Sequence, residues 1–111
     1  MKRIVLAALA LMMALPQISF AQENNDLKVM SYNIRLGVGK DGTNSWQYRC
    51  PATIAMLEDQ KPDVFGIQEA MDFQVKFINE YAKSYKCAGV GREDGKKKGE
   101  HMSIFWNKKR V

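Results

Sequence analysis

Two predicted strands on either side of a predicted helix constrain the fold of this chain more than any other feature. Leu27–Arg35 alternates polar and apolar residues and is rich in β-branched and aromatic side chains, which predicts a strand. Pro51 suits the first turn of a helix that continues to Gln60, and Lys61–Asp63 ends it. Val64–Gln68 is a short apolar run, and it predicts a second strand. Gly66 inside this run indicates that another backbone or side chain approaches closely. A strand–helix–strand unit of this kind makes its two strands parallel neighbours joined by a right-handed crossover.

The second half of the chain predicts one more helix and two more strands. Phe73, Phe77 and Tyr81 recur at every fourth position, which is typical of an amphipathic helix. The predicted elements are a helix over Asp72–Ser84, a strand over Tyr85–Gly91, a charged turn over Arg92–Gly99 and a strand over His101–Trp106. The order β-α-β-α-β-β predicts an α/β (α+β) fold with helices on one face of the sheet. Since an open apolar face needs a second layer, we expect a fragment of a larger domain or an obligate partner.

The first 21 residues have the pattern of a secretory signal peptide. A basic start is followed by an apolar run over Ile4–Leu15, and the small residues Ser19 and Ala21 stand at the −3 and −1 positions of a cleavage site. A membrane-spanning helix needs about 20 apolar residues, and this run is shorter. We therefore predict a signal peptide over residues 1–21, cleavage near Ala21, no stable membrane anchor and a secreted or periplasmic protein.

Composition excludes some classes of protein and leaves others open. A chain of 111 residues with 46% hydrophobic and 26% charged residues is neither disordered nor fibrous, and it has room for one domain at most. The net charge of +5 is concentrated in residues 92–111, which contain seven basic and three acidic residues. This segment could attract an anionic substrate, or it could be a solvated loop kept soluble by its lysines. Cys50 and Cys87 could pair in an oxidising compartment, but their spacing is not that of a metal or redox motif.

Asn33 and Glu69 are the sharpest candidates for chemistry. Asn33 lies near the carboxyl end of the first predicted strand, and Glu69 directly follows the second. Because the carboxyl ends of parallel strands meet at one sheet edge, both side chains are expected there, where α/β proteins usually bind ligands. A carboxylate and an amide oxygen suit Mg²⁺. The structural alternative is that Asn33 bonds to neighbouring backbone and Glu69 caps the following helix.

Short motifs in a fixed order carry a family resemblance that extends from about Leu27 to Val111. The segments are Ser31–Arg35 (SYNIR), Pro62–Glu69 (PDVFGIQE), Gly89–Gly95 (GVGREDG), Gly99–Glu100 and Ser103–Trp106 (SIFW). In this order they resemble the endonuclease/exonuclease/phosphatase family of DNase-I-like metallophosphoesterases, and secreted bacterial members are the most similar. The Gln-Glu pair after a strand that begins with Pro-Asp is the most specific part.

The resemblance implies a four-layer αββα sandwich, of which residues 22–111 would supply about the first four strands and two helices as its N-terminal portion. It implies hydrolysis of a phosphoester with Mg²⁺ (or Mn²⁺) as cofactor. By position, Glu69 and Asn33 match metal-site residues of the family. Glu100 matches a glutamate that supports a catalytic histidine, although a surface charge beside the lysines is an equal alternative.

Other residues match the family with simpler explanations beside them. Arg92 could contact the substrate phosphate, because a guanidinium suits that geometry, but an ion pair with Glu93 or Asp94 is the simpler expectation. Trp46 and Arg49 match the region before the first helix, where packing is the default interpretation.

The chain also departs from the family pattern. The family uses an Asp-x-Asn pair that orients the attacking water and an Asp-His pair near its C-terminus, and neither motif occurs in this sequence. His101, the single histidine, does not match the catalytic one and is expected to be exposed or packed. We therefore expect the N-terminal part of an enzyme, inactive by itself.

Two other hypotheses stay open. A non-catalytic module could bind an anion or nucleic acid with the basic 92–111 hairpin, in which case binding would depend strongly on salt. A remnant that does not fold is a third possibility. The phosphoester substrate cannot be identified from the sequence, and nucleic acid is one candidate.

Overall fold

The computed structural model describes residues 25–111, so the predicted signal peptide lies outside the described residues. Within 25–111, no helix is long and apolar enough to cross a membrane. The elements are β1 (Val29–Asn33), a 3₁₀ turn (Gly42–Asn44), α1 (Trp46–Gln60), β2 (Val64–Ala70), α2 (Asp72–Tyr81), β3 (Tyr85–Ala88) and β4 (His101–Asn107).

The four strands form one mixed sheet in the order β1-β2-β4-β3. β1 and β2 are parallel, with Asn33 opposite Gln68, and α1 connects them. β4 runs antiparallel to both of its neighbours, β2 and β3. The predicted strand–helix–strand unit, the final hairpin and the mixed α/β class are therefore confirmed.

The hydrophobic core lies between the sheet and the two helices. Phe65, Ile67 and Phe105 point to this side and are almost completely buried. The rings of Phe65 and Phe105 stack across β2 and β4 with centroids 4.7 Å apart, and Tyr85 meets Phe65 edge-on at 5.0 Å. Burying a side chain of this size contributes about 1.5–3 kcal/mol, so these residues hold the layer together.

The opposite face of the sheet is open within residues 25–111. Met102 is 80% exposed and Ile104 is 53% exposed, although both lie in the central strand β4. This agrees with the expectation of one uncovered face. Gly66 was expected to mark a close approach, but a Cβ there would meet only the Gln68 amide at 3.8 Å. Within residues 25–111 no group approaches Gly66 closely, because it faces the open side.

The first helix differs from its prediction at its start. α1 begins at Trp46, after Ser45, so Pro51 stands in its interior and not in its first turn. Proline lacks the N–H that would bond to the carbonyl four residues earlier, which is that of Gln47. The Cys50 thiol donates to this carbonyl instead, with 3.6 Å between Sγ and O.

The second helix buries a different face from the one its aromatic residues suggest. Its fully buried residues are Gln74 and Ile78, whereas Phe73 and Tyr81 are about half exposed. Phe77 packs sideways, edge-on to Trp46 of α1 with 5.7 Å between centroids. The aromatic stripe thus joins the two helices and borders solvent, and the helix ends at Tyr81, before the predicted end.

Both cysteines are free thiols in residues 25–111. Cys87 donates to the Asn79 side-chain oxygen at 3.4 Å, and burial raises the pKa of its thiol.

Candidate active site

The chain turns sharply where β1 ends. Ile34 N–H donates to the Gln68 carbonyl at 3.2 Å and extends the parallel ladder by one bond. Arg35 then adopts a left-handed conformation with φ of 62°, and its N–H donates to Asn33 Oδ1 at 3.0 Å. The expected local bond from Asn33 to neighbouring backbone is therefore present, and it shapes this turn.

A β-bulge places Glu69 at the same edge of the sheet. Ile67 pairs with Ser103 and Ala70 with His101, so β2 carries one more residue than β4 between these pairs. Glu69 lies in the bulge with φ of 61°. Bulges re-aim side chains, and a left-handed conformation costs a residue other than glycine about 1–3 kcal/mol.

The Glu69 carboxylate holds the turn that follows β1. Its Oε2 atom accepts a hydrogen bond from Leu36 N–H at 3.3 Å. Glu69 does not cap α2, because that helix begins after Met71, whose N–H donates to Gln74 Oε1 at 2.9 Å. The capping alternative proposed for Glu69 is therefore wrong.

The parallel register brings the two candidate ligands to one edge. Asn33 stands opposite Gln68, the residue directly before Glu69. Within residues 25–111, no group of three or more His, Cys, Asp and Glu side chains converges to hold a metal ion. These residues thus offer a partial ligand set at most, and metal binding by Asn33 and Glu69 stays a prediction.

A cleft of about 490 Å³ opens beside Glu69 on the uncovered side of the sheet. Three of the four candidate site residues line it, namely Glu69, Arg92 and Glu100, whereas Asn33 does not. The other lining residues are Gln68, Gly89, Val90 and Met102.

Arg92 and Glu100 form an ion pair across the base of the turn, with 2.8 Å between Nη1 and Oε2. The expected partners of Arg92 were Glu93 and Asp94, and both have other roles. Glu93 pairs with Lys98 at 3.7 Å. Asp94 accepts N–H bonds from Lys98 and Lys96, which lower the pKa of its carboxyl. The correct partner was missed because it follows the turn, eight positions away.

His101 lies on the other side of the sheet from the cleft. Its side chain is buried beneath the start of α2, with Nε2 3.0 Å from the Lys97 carbonyl and 3.9 Å from Asp72 Oδ1. Because it faces the helices, it cannot reach a ligand in the cleft. Of the two expected positions, exposed or packed, His101 takes the packed one.

Comparison with known structures gives the family of this sheet and cleft. The mannosyl-6-phosphatase Bt3783 of Bacteroides thetaiotaomicron VPI-5482 is 40% identical, with a TM-score of 0.71 over 76% of this chain and 32% of that one. An endonuclease/exonuclease/phosphatase family protein of the same species is also 40% identical, with a TM-score of 0.70 over 74% and 31% of the two chains.

A third relative, the endonuclease/exonuclease/phosphatase of Bacteroides vulgatus, is 32% identical, with a TM-score of 0.72 over 75% and 32% of the two chains. The chain belongs to the endonuclease/exonuclease/phosphatase family. It spans about a third of the length of these relatives. No protein-family model and no curated protein matches the chain.

Sequence reasoning missed the contacts by which two side chains support the loop after β1. Gln74 is completely buried and bonds to the backbone of Arg35, Gly37 and Met71. Arg49, expected only to pack, also donates to the Ile34 carbonyl at 2.9 Å while its guanidinium lies 5.7 Å from the centre of the Trp46 ring. The sequence did offer one signal for the burial of Gln74: it stands four positions before Ile78, on the same face of the helix.

Proposed function

We propose that the chain is part of a secreted, divalent-metal-dependent phosphoester hydrolase. The observation that carries this proposal is the position of Glu69. It lies in a β-bulge near the carboxyl end of β2, in a left-handed backbone conformation, and lines an open cleft. An acidic residue kept in a strained conformation at a sheet edge is typical of a functional site. The membership of the family supports hydrolytic chemistry.

The charge of the cleft supports metal dependence. Its lining contains two carboxylates, Glu69 and Glu100, and one guanidinium, Arg92. A phosphoester is anionic, so it would be repelled unless a cation also bound. Hard oxygen ligands such as the Glu69 carboxylate and the Asn33 amide suit Mg²⁺ or Mn²⁺, and the Leu36 bond uses only Oε2 of Glu69. When bound, the cation would polarise a phosphoryl oxygen.

The two other charged residues of the cleft, Arg92 and Glu100, have roles in binding the substrate. Arg92 is largely exposed, and its planar guanidinium would bind the substrate phosphate. Glu100 orients Arg92 through the 2.8 Å ion pair. The other role considered for Glu100, support of a catalytic histidine, would require a histidine outside residues 25–111, because His101 faces the helices.

The substrate class we propose is a phosphate monoester, by likeness to the mannosyl-6-phosphatase. The alternative of a nucleic-acid-binding hairpin is less well supported. Of the basic residues in 92–111 outside the cleft, Lys98 and Arg110 already pair with carboxylates. This favours the solvated-loop interpretation of the segment.

Titration with Mn²⁺, followed by electron paramagnetic resonance of the free ion, tests the proposal. We expect one bound ion per chain and an affinity at least about tenfold lower in Glu69→Gln. Glu80→Gln is the matched control, because Glu80 is exposed on α2 and should leave the affinity unchanged. Equal affinities of the wild-type chain and Glu69→Gln would contradict the proposal.

We also propose that the 111-residue chain alone has no appreciable turnover, since residues 25–111 bring no histidine and no third carboxylate to the cleft. Phosphate release from p-nitrophenyl phosphate in Mg²⁺ measures this. Release that Glu69→Ala abolishes would contradict inactivity while supporting the metal site.

Secretion is a separate part of the proposal. Expression in a bacterial host, followed by N-terminal sequencing of the periplasmic fraction, should give a chain that begins at Gln22. An intact N-terminus in the cytoplasmic fraction would contradict it.

A further inference from the structure

The loop after β1 has an unusually complete set of side-chain supports. Its backbone groups bond in turn to side chains on β1, on β2 and on both helices. Ile34 O accepts from Arg49, Arg35 N donates to Asn33, and Leu36 N donates to Glu69. Two further groups, Arg35 O and Gly37 N, bond to one residue, Gln74.

We propose that Gln74 is a positioning residue for the metal site, an inference that rests on the proposed function. Its amide donates through Nε2 to the Arg35 carbonyl and accepts through Oε1 from Gly37 N–H, both at 2.9 Å. These two groups lie on either side of Leu36, whose N–H bonds to the Glu69 carboxylate. Gln74 thereby fixes the direction in which Leu36 presents its donor to Glu69.

The same side chain links this loop to the start of α2. Gln74 Oε1 also accepts from Met71 N–H at 2.9 Å, two residues after Glu69. One buried amide therefore ties the backbone on both sides of the sheet edge, after Asn33 and after Glu69. A buried amide with each polar atom bonded is costly to disturb, because its partners would lose their bonds without access to water.

Close packing makes the Gln74 position specific. A Cβ at Gly37 would lie 2.6 Å from Gln74 Cδ and 2.5 Å from Phe73 Cζ, so the loop lies directly on α2. The left-handed conformation of Arg35 needs support from its surroundings, and the bond to its carbonyl is part of that support.

The test compares Gln74→Leu with Ile78→Val in the full chain. Leucine keeps the approximate volume and removes all three bonds. Ile78 is equally buried one turn later and makes no polar contact with the loop, so its variant reports packing alone. Two quantities are measured: amide hydrogen exchange of Leu36 and Gly37 by NMR without metal, and Mn²⁺ affinity.

We expect Gln74→Leu to speed exchange at Leu36 and Gly37 and to weaken Mn²⁺ binding by about tenfold, as loss of a residue supporting a metal ligand typically does. Ile78→Val should change neither. Gln74→Glu is the second variant if the leucine variant does not fold, since it retains an acceptor for Gly37 and loses the donor to Arg35. We expect faster exchange at Leu36 there too.

The outcomes separate this inference from the proposed function. Wild-type exchange at Leu36 in a folded Gln74 variant would overturn the inference, and so would an equal loss of Mn²⁺ affinity in Ile78→Val. If the wild-type chain bound no Mn²⁺, the proposed function would fail, and the exchange rates would still decide whether Gln74 holds the loop.

Discussion

The two faces of the sheet are built from the same strands and differ in almost every other respect. On the side of the helices, Phe65 and Phe105 are fully buried and stack on each other. On the other side, Met102 and Ile104 of the same strand β4 are largely exposed. The covered face supplies the stability of the described residues. The open face carries the charged side chains that line the cleft.

This division also decides which charged residues can act. Glu69, Arg92 and Glu100 line the cleft on the open side, whereas His101 is sealed beneath α2. Glu100, directly before β4, and His101, its first residue, thus lie on opposite sides of the sheet, because side chains alternate along an extended chain. Proximity in sequence to a candidate such as Glu100 is therefore no evidence of a shared role.

The largest expected difference between the faces lies within β4. Phe105→Ala removes a buried ring and should lower the free energy of unfolding by about 3–5 kcal/mol. Ile104→Ala, on the open face, should lower it by less than about 1 kcal/mol. Urea denaturation followed by circular dichroism measures both, and equal losses would contradict the comparison.

Tyr85 sharpens the comparison at the edge of the covered face. Its buried hydroxyl donates to the Pro62 carbonyl at 2.6 Å, so Tyr85→Phe should cost about 1–3 kcal/mol by leaving that carbonyl unpaired. Burial raises the pKa of Tyr85. A raised folded-state pKa means that stability is complete below about pH 10 and falls as the pH rises through the folded value.

Urea midpoints between pH 8 and pH 11 check this behaviour. Tyr85→Phe should flatten the alkaline decline, and Tyr48→Phe, at an exposed position on α1, should leave it unchanged. An identical decline in the wild-type chain and Tyr85→Phe would count against the role of this hydroxyl.

Asp63 makes the stability of the folded chain depend on pH in the acid range. Two hydrogen bonds lower the pKa of its carboxyl from 3.8. The larger effect comes from the Lys28 backbone N–H and the smaller from the Arg110 guanidinium. Its contribution to stability is therefore present above about pH 3.8 and is lost as the pH falls through the lower folded value. Thermal melts from pH 2 to pH 6 should show a shallower acid decline in Asp63→Asn, with the exposed Asp59→Asn as control.

The smallest expected effect on folding comes from the open face itself. Met102→Lys should change the free energy of unfolding by no more than about 0.5 kcal/mol, because the side chain is already in water. It should nevertheless reduce self-association in sedimentation velocity, since it breaks an exposed apolar surface. A strongly destabilised Met102→Lys chain would mean that this face is not open.

The order of strands and helices could be predicted because it depends on short-range patterns. Alternation in Leu27–Arg35 and the apolar run before Glu69 were sufficient for the parallel pair, and the stop at Lys61-Pro62 was sufficient for the end of α1. The start of α1 was missed, because Trp46–Cys50 contains few strong helix formers and Pro51 is typical of a first turn.

The site could be predicted only as far as one edge of the sheet. The parallel-strand rule placed Asn33 and Glu69 there, but the bulge at Glu69 depends on its register with β4, which is set far along the chain. Gln74 was missed because a glutamine on a helix normally faces water, and its burial depends on the loop that covers it.

The most direct test of this account is Mn²⁺-induced line broadening of the amide NMR signals, because it locates a bound cation and does not require turnover. The account predicts that substoichiometric Mn²⁺ broadens the signals of Asn33, Leu36 and Glu69, and that Glu69→Ala abolishes the effect. Broadening confined to the Asp94 turn, or none at this sheet edge, would contradict it.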